Sequence, residues 1–313
     1  MSFYPTAASI AAAFFAGVVL LRRYGRSTRP IAKDKERVLV IGGSSGIGRA
    51  ISHLYSQRGA QVCIVGRRQD ELEKVRAECV ELRSSAPKNA VISVLADFSD
   101  AKDMVRLRET LETAWNGVDT MIVCAGVSAL RPLLEIAGVT DNAKQASADD
   151  VQRTIDVSNA AIRGNYTGPL VSAVTFIPLL KQSSPFPAML LISSLASLIP
   201  APTRSLYGST KAASLLLYQA LAIEHPQIIF TSVIPSTVEG VFRASAVDGG
   251  PVRESDPNKH GLKKEYVAQR CVEAVDNRDR TVFLPYWYSR VGHALYWILP
   301  GVTEQLARKK YNF

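Results

Sequence analysis

The sequence predicts an α/β protein built on one doubly wound parallel sheet, and three observations carry that expectation. Short apolar runs such as Arg37–Ile41 and Ala188–Ile192 show the continuous hydrophobicity of strands buried on both faces. Helix-length patterns lie between such runs, the alternation expected when parallel strands are joined by crossover helices. A glycine-rich turn, Gly42-Gly-Ser44-Ser45-Gly46-Ile47-Gly48, joins the first strand to the first helix. Glycines there let backbone approach a phosphate, and a helix N-terminus offers free N–H groups and the positive end of its dipole.

Composition bounds what the sheet carries. The 313 residues, 47% hydrophobic, suit one large α/β domain with additions at its ends. The net charge of +9 is unevenly placed: Arg22, Arg23, Arg26, Arg29, Lys33, Lys35 and Arg37 face only Asp34 and Glu36, and Arg308-Lys309-Lys310 adds more at the other end. The middle of the chain is close to neutral, which argues against a nucleic-acid partner. Cys63, Cys79, Cys124 and Cys271 are scattered without a Cys-x-x-Cys pair, and His53, His225, His260 and His293 show no ligand spacing. Neither a metal site nor a disulfide framework is expected, and a reducing compartment is the default.

Thr6 to Leu21 is uncharged and apolar; counted from Ser2 it is about twenty residues, enough to span a hydrocarbon core that needs about 17 to 25. Positive charge follows this segment, whereas a secretory signal would carry it in front. Residues 1–22 therefore read as a membrane anchor and 23–36 as a basic linker, with the domain behind them facing the cytosol by the positive-inside rule. A cleaved or mitochondrial targeting segment is the alternative.

The folded region then unrolls in order. The second strand, Ala60–Val65, ends in Gly66-Arg67-Arg68, where an NAD-preferring chain would place an acid for the ribose hydroxyls. Two guanidiniums instead suit a 2′-phosphate, so NADP(H) is the expected cofactor, with a solvated loop pair ahead of Asp70 and Glu71 as the alternative. Val91–Leu95 leads to Asp97-Phe98, and Val118–Val123 to Cys124-Ala125-Gly126. Residues 127–150 are a long polar interval, read as an insertion beside the active site. A helix from Val151 to Leu180 contains Asn165-Tyr-Thr-Gly168, formally also a glycosylation sequon, though a buried helical asparagine is a poor acceptor. The sixth strand, Gln227–Ile234, runs into Pro235-Ser-Thr-Val238-Glu-Gly240, and residues 240–262 read as a mobile substrate loop.

The chemistry concentrates after Ala188–Ile192. Ser194 stands at that strand's end, where open α/β sheets bind ligands, and Tyr207 and Lys211 follow one helical turn apart on one face. A free phenol titrates near about 10, so it moves protons at neutral pH only if a nearby cation favours the phenolate. Lys211 supplies such a charge, and the Ser194 hydroxyl can bond the oxygen of a carbonyl or alcohol. Together they make a proton-transfer site for carbonyl reduction or alcohol oxidation. Phe283 to Pro300 crowds aromatic and aliphatic residues. Its prolines, Arg290 and His293 argue against a span and for contact with a lipid surface that opens the substrate pocket toward lipid; packing on the domain or on a second copy of the chain are the alternatives.

Ser194, the Tyr207-x-x-x-Lys211 pair thirteen residues on, the Gly42-x-x-x-Gly46-x-Gly48 turn and Asn165-Tyr-x-Gly168 resemble the short-chain dehydrogenase/reductase family over roughly residues 36 to 285. The resemblance implies a Rossmann-like sheet over 37–285 and a tail over 286–313. It implies catalytic roles for Asn165, Ser194, Tyr207 and Lys211: Tyr207 carries the proton, Ser194 holds the carbonyl oxygen, Lys211 holds the nicotinamide ribose, and Asn165 bends its helix and holds a relaying water. Asp97 with Phe98 would contact adenine, and Ala125, Gly126 and Val238 would line the cofactor with the glycine turn. The chain departs from the family pattern at Ile41, where threonine is usual, at Cys124, usually asparagine, and at Gly240, usually threonine.

The apolar N-terminus and aromatic tail together resemble the membrane-bound 11β-hydroxysteroid dehydrogenase-like branch, with 3-ketosphinganine reductases a second candidate. The implied activity is NADP(H)-dependent reduction of a ketone or aldehyde, or oxidation of the matching alcohol, on a hydrophobic substrate such as a steroid, sphingoid or fatty carbonyl. The implied setting is the endoplasmic reticulum membrane, with a homodimer among the expected assemblies. A dinucleotide-binding scaffold without turnover is the competing class, supported by the three departures, and a soluble reductase with a removed N-terminus is a third.

Overall fold

The structure is a computed structural model and describes residues 29–313 apart from 86, 88, 142, 143 and 254–256. The expected anchor, residues 1–22, and residues 23–28 of the basic linker lie outside the described residues. Among the described residues no helix is long and apolar enough to cross a membrane.

The chain alternates as expected: β1 (Arg37–Ile41), α1 (Gly46–Gln57), β2 (Gln61–Gly66), α2 (Gln69–Glu81), β3 (Val91–Leu95), α3 (Ala101–Trp115), β4 (Thr120–Val123), then α4 (Ala148–Ile162), a π-helical turn (Arg163–Thr167), α5 (Gly168–Ser183), β5 (Ala188–Ile192), α6 (Ser205–Glu224), β6 (Ile229–Pro235), α7 (Lys264–Asp276), β7 (Thr281–Leu284), α8 (Tyr286–Ile298) and α9 (Pro300–Tyr311). The seven strands lie in the order β3-β2-β1-β4-β5-β6-β7, every pairing parallel. The order reverses beside β1, and the crevice above such a switch point is where ligands bind in these folds.

Alternation along each strand feeds two cores. From β1, Val38 and Val40 pack against Ile51 and Tyr55 of α1, Leu72 of α2 and Val267 of α7. Leu39 and Ile41 join the other layer with Leu107 of α3, Phe176 of α5 and Tyr218 of α6. Burial on both faces explains why these strands read as unbroken apolar runs.

The long helix expected from Val151 to Leu180 is in fact broken. A capping box in which Ser147 and Asp150 exchange bonds starts α4, and five π-helical residues separate it from α5. The sequence tolerates the break because Gly164 and Gly168 remove side chains there: a Cβ on Gly168 would stand 2.2 Å from the Phe98 ring.

Below the sheet, at the N-terminal ends of its strands, charged groups are buried in pairs. Arg29 donates to Glu36 Oε1 at 2.5 Å, Thr120 Oγ1 at 2.7 Å and the carbonyls of Asp119 and Phe186 at 2.8 Å. Arg58 bonds the second Glu36 oxygen and both oxygens of Asp276. Arg37 grips Asp119 through Nε and Nη2. Burial pushes the Asp119 carboxyl up, but the Arg37 bonds and charge outweigh it and hold it below the usual carboxylate range.

Candidate active site

Above the sheet, at the C-terminal ends of the strands, a cavity of about 1090 Å³ runs from the turn after β1 to the C-terminal helices. Its first wall is the glycine turn. Ser45, the residue before α1, is extended and makes no side-chain capping bond, which leaves first-turn N–H groups of α1 for a ligand. Gly48 is held to glycine by close approach, since a Cβ there would stand 2.2 Å from Gly42 O. Gly42, Ser44, Ser45, Gly46, Ile47 and Gly48 all line the cavity. The turn is therefore a backbone cradle that fits a pyrophosphate.

Arg67 and Arg68, just past β2, are exposed at the rim of the same end. Asp97 and Phe98 line it beyond β3. The Asp97 carboxylate is partly committed: Oδ1 accepts from Ser99 N at 3.0 Å and Ser99 Oγ at 2.7 Å, and Oδ2 from Arg163 at 3.1 Å. Burial pushes this carboxyl up, yet the Ser99 bonds and the charges of Arg163 and Arg67 bring it below its ordinary value. Arg163, from the π-helical turn, also bonds Ser99 Oγ at 2.8 Å and lines the cavity. Sequence reasoning missed it, because only the fold brings that turn over the end of β3.

At the other end Ser194, Tyr207 and Lys211 converge on the cavity, which Ala125, Gly126 and Val238 also line. Ser194 starts a short 3-10 turn, its Oγ accepting from Ala196 N at 3.2 Å, and is half-buried. Tyr207 and Lys211 lie in the first turns of α6. Lys211 is buried and donates to Ile192 O, at the end of β5, at 3.0 Å. Burial pushes its ammonium down to about 8, and the neighbouring Cys124 opposes that shift only in part. The Cys124 thiol is in turn pushed up to about 12 by burial, so at neutral pH it sits beside the amine as an uncharged group. Tyr207 meets the Phe242 ring edge-on at 6.1 Å.

Asn165 does not line the cavity. It is fully buried behind it in the π-helical turn, exchanging bonds with the backbone of Val127 (Oδ1 from N at 2.9 Å, Nδ2 to O at 3.0 Å) and donating to Thr210 Oγ1 at 3.0 Å. The asparagine ties the break in the helix to the strand-end turn after β4 and to α6.

The remaining departures have local reasons. Gly240 has φ +109°, a conformation that a threonine adopts only with strain. Ile41 is buried at the end of β1 and its carbonyl accepts from both Cys124 N and Ala125 N. The interval 127–150 is beside the cavity rather than in it: among its described residues only Val127 lines the cavity. Its role is to brace the segment after β6. Asp248 Oδ2 accepts from Leu130 N and Arg131 N at 2.6 and 2.7 Å, and Arg253 pairs with Glu135.

The tail forms two helices, with Tyr288, Gly292 and Leu295 of α8 and Thr303, Leu306, Ala307, Lys310 and Tyr311 of α9 facing the cavity. Trp287, Val291 and Ile298 make an outward stripe on α8, Trp287 and Ile298 both 73% exposed. Tyr288 and Leu306 are exposed as well as cavity-lining, so the cavity's rim merges with this apolar surface. Packing on the domain and an exposed aromatic face thus coexist in one element.

This fold is shared with solved structures. A short chain dehydrogenase/reductase from Burkholderia phymatum in complex with NAD aligns with a TM-score of 0.69 at 17% identity, over 86% of this chain and 96% of that one. An alcohol dehydrogenase from the archaeon Thermococcus sibiricus, complexed with 5-hydroxy-NADP, aligns at 0.62 with 23% identity, over 80% and 95%. The short chain dehydrogenase family model matches residues 36–249, and the chain belongs to that family of oxidoreductases. Among curated proteins it is similar to 11-beta-hydroxysteroid dehydrogenase-like 4A of Arabidopsis thaliana, 29% identical over 203 residues, 64% of this chain and 60% of that protein. To 11-beta-hydroxysteroid dehydrogenase A of Sesamum indicum it is 25% identical over 286 residues, 88% and 75% of the two chains. The matched region thus spans 60% of the length of the Arabidopsis relative.

Proposed function

We propose that the protein is an NADP(H)-dependent oxidoreductase that interconverts a ketone or aldehyde and its alcohol on a hydrophobic, lipid-like substrate. The observation that carries this reading is the shared cavity: Ser194, Tyr207 and Lys211 line one end and the glycine turn with Arg67 and Arg68 the other. When bound, the nicotinamide ring supplies or accepts hydride. The phosphates would be held by the turn of Gly42 to Gly48, the 2′-phosphate by Arg67 and Arg68, and the nicotinamide ribose by Lys211.

The chain's own part is to place an oxygen and move a proton. Ser194 Oγ holds the substrate oxygen, and the Tyr207 hydroxyl gives that oxygen a proton in reduction or takes one in oxidation. Lys211 lends positive charge to the phenolate. Asn165 shapes the turn through which water returns a proton to Lys211. The exposed stripe of α8 and the rim formed by Tyr288 and Leu306 support a substrate that arrives from lipid, because an apolar face continuous with a cavity lowers the cost of moving an apolar molecule into it.

The same reading places the apolar N-terminal segment in the endoplasmic reticulum membrane with the domain in the cytosol, where NADPH binds without crossing the bilayer. A homodimer on the tail is compatible with it. Its test is NADPH consumption by the detergent-solubilised full-length protein against steroid, sphingoid, retinoid and fatty carbonyls. Turnover on at least one of these hydrophobic carbonyls, faster with NADPH than NADH, is expected. No turnover in either direction, with NADPH bound, would favour the scaffold reading.

A further inference from the structure

Tyr207 has a second cation beside it. Arg204, one turn earlier at the start of α6, is 6% exposed and lines the cavity. Its Nη1 donates to Ser128 Oγ at 3.1 Å and Ala129 O at 3.3 Å, two groups on the segment after β4. Held there, the guanidinium carbon lies 5.7 Å from the centre of the Tyr207 ring and 5.8 Å from that of Tyr311, the last residue of α9. Both distances are within reach of a cation–π attraction, which strengthens where water is excluded.

We propose that Arg204 is a positioning residue for Tyr207, fixing its ring against the cavity wall and adding a second positive charge that favours the phenolate. The inference rests on the reading of Tyr207 as the proton carrier. A guanidinium stays charged at any pH the protein meets, while the Lys211 amine, pushed down by burial, loses part of its charge near neutral pH. The two cations therefore divide the work: Arg204 supplies a constant field and Lys211 one that varies with pH. Because the guanidinium also contacts Tyr311, the packing of the C-terminal helix is joined to the proton carrier through a single side chain. Among the described residues, the other charged or titratable groups on this half of the cavity are Lys211 on the same helix, Cys124 after β4, Glu239 and Arg243 after β6, Tyr288 on α8, and Lys310 and Tyr311 on α9.

The test needs no substrate. The full chain is labelled with 3-fluorotyrosine, the Tyr207 fluorine resonance is assigned by its loss in Tyr207→Phe, and its titration is followed by nuclear magnetic resonance. Arg204→Gln keeps amide donors for Ser128 and Ala129 but removes the charge; Arg204→Lys keeps the charge. A positive charge held near an ionising phenol favours the phenolate, by about one unit where the two are close. The Tyr207 midpoint should therefore rise by about one unit in Arg204→Gln, a tenfold loss of phenolate at neutral pH, and stay near wild type in Arg204→Lys. Equal midpoints in wild type and Arg204→Gln, or the two variants moving together, would overturn the proposal. Turnover by Tyr207→Phe would instead overturn the proton-carrier reading, so the two failures are distinguishable.

Discussion

The two edges of the sheet bury charge in opposite ways. Below it, Glu36 accepts from Arg29, Arg58 and Thr120, and Asp119 from Arg37, so carboxylates and guanidiniums neutralise one another in fixed geometry. Above it, Lys211 is buried with a carbonyl and a thiol for neighbours, and its charge is correspondingly costly. A closed edge spends its charges on structure, whereas an open edge keeps a cation uncompensated where a ligand or an ionising phenol can use it.

That contrast is breakable from either side. Glu36→Gln leaves Arg29 and Arg58 facing a neutral group in a dry site, and breaking such a buried pair costs roughly 3–5 kcal/mol. Urea denaturation should show that loss, with catalysis per folded molecule unchanged; a stable but inactive variant would mean that the lower edge communicates with the site.

Lys211 tests the upper edge through pH. In the folded protein its amine gives up its proton near about 8, and in the unfolded chain near about 10.4. Between those values the unfolded chain holds more protons, so this residue makes stability rise with pH. Its contribution is complete above about 10.4 and is progressively lost as pH falls through about 8. The cofactor-free wild type should therefore gain stability across that window relative to Lys211→Met, measured by denaturation at several pH values. Parallel curves would show that Lys211 is not buried as a destabilised cation.

Much of this upper edge was legible before the fold was known. The strand runs, the glycine turn and the Ser194–Tyr207–Lys211 set are local patterns, in which spacing along one strand end or one helix face dictates spacing in space. Every cofactor-contacting residue expected from the sequence lines the cavity; of the catalytic set, only Asn165 lies behind it. Arg163 and Arg204 were not legible, because their importance comes from Asp97, Ser99, Ser128 and Tyr311, which are distant in sequence and near only after folding. The same holds for α9, whose basic end reads as a tail and whose Tyr311 is buried against the site. The break at Asn165 was legible as a bend, but its cause, the bonds to Val127 and Thr210, is tertiary.

A smaller effect separates the two ends of the cavity itself. Replacing Arg67 and Arg68 with neutral residues should weaken NADPH binding at least about tenfold, since charge-assisted bonds contribute roughly 1.5–3 kcal/mol each where they form. NADH binding should hardly change. Equal losses for both nucleotides, by fluorescence titration, would move the 2′-phosphate elsewhere.

The proton carrier is the claim on which the rest depends, and Tyr207→Phe tests it most directly, keeping the ring that packs on Phe242 while removing the hydroxyl. With a carbonyl that the wild type reduces, the rate of the chemical step should fall by at least about a hundredfold, while NADPH affinity and the unfolding midpoint stay near wild type. Turnover within a few-fold of wild type would contradict the account.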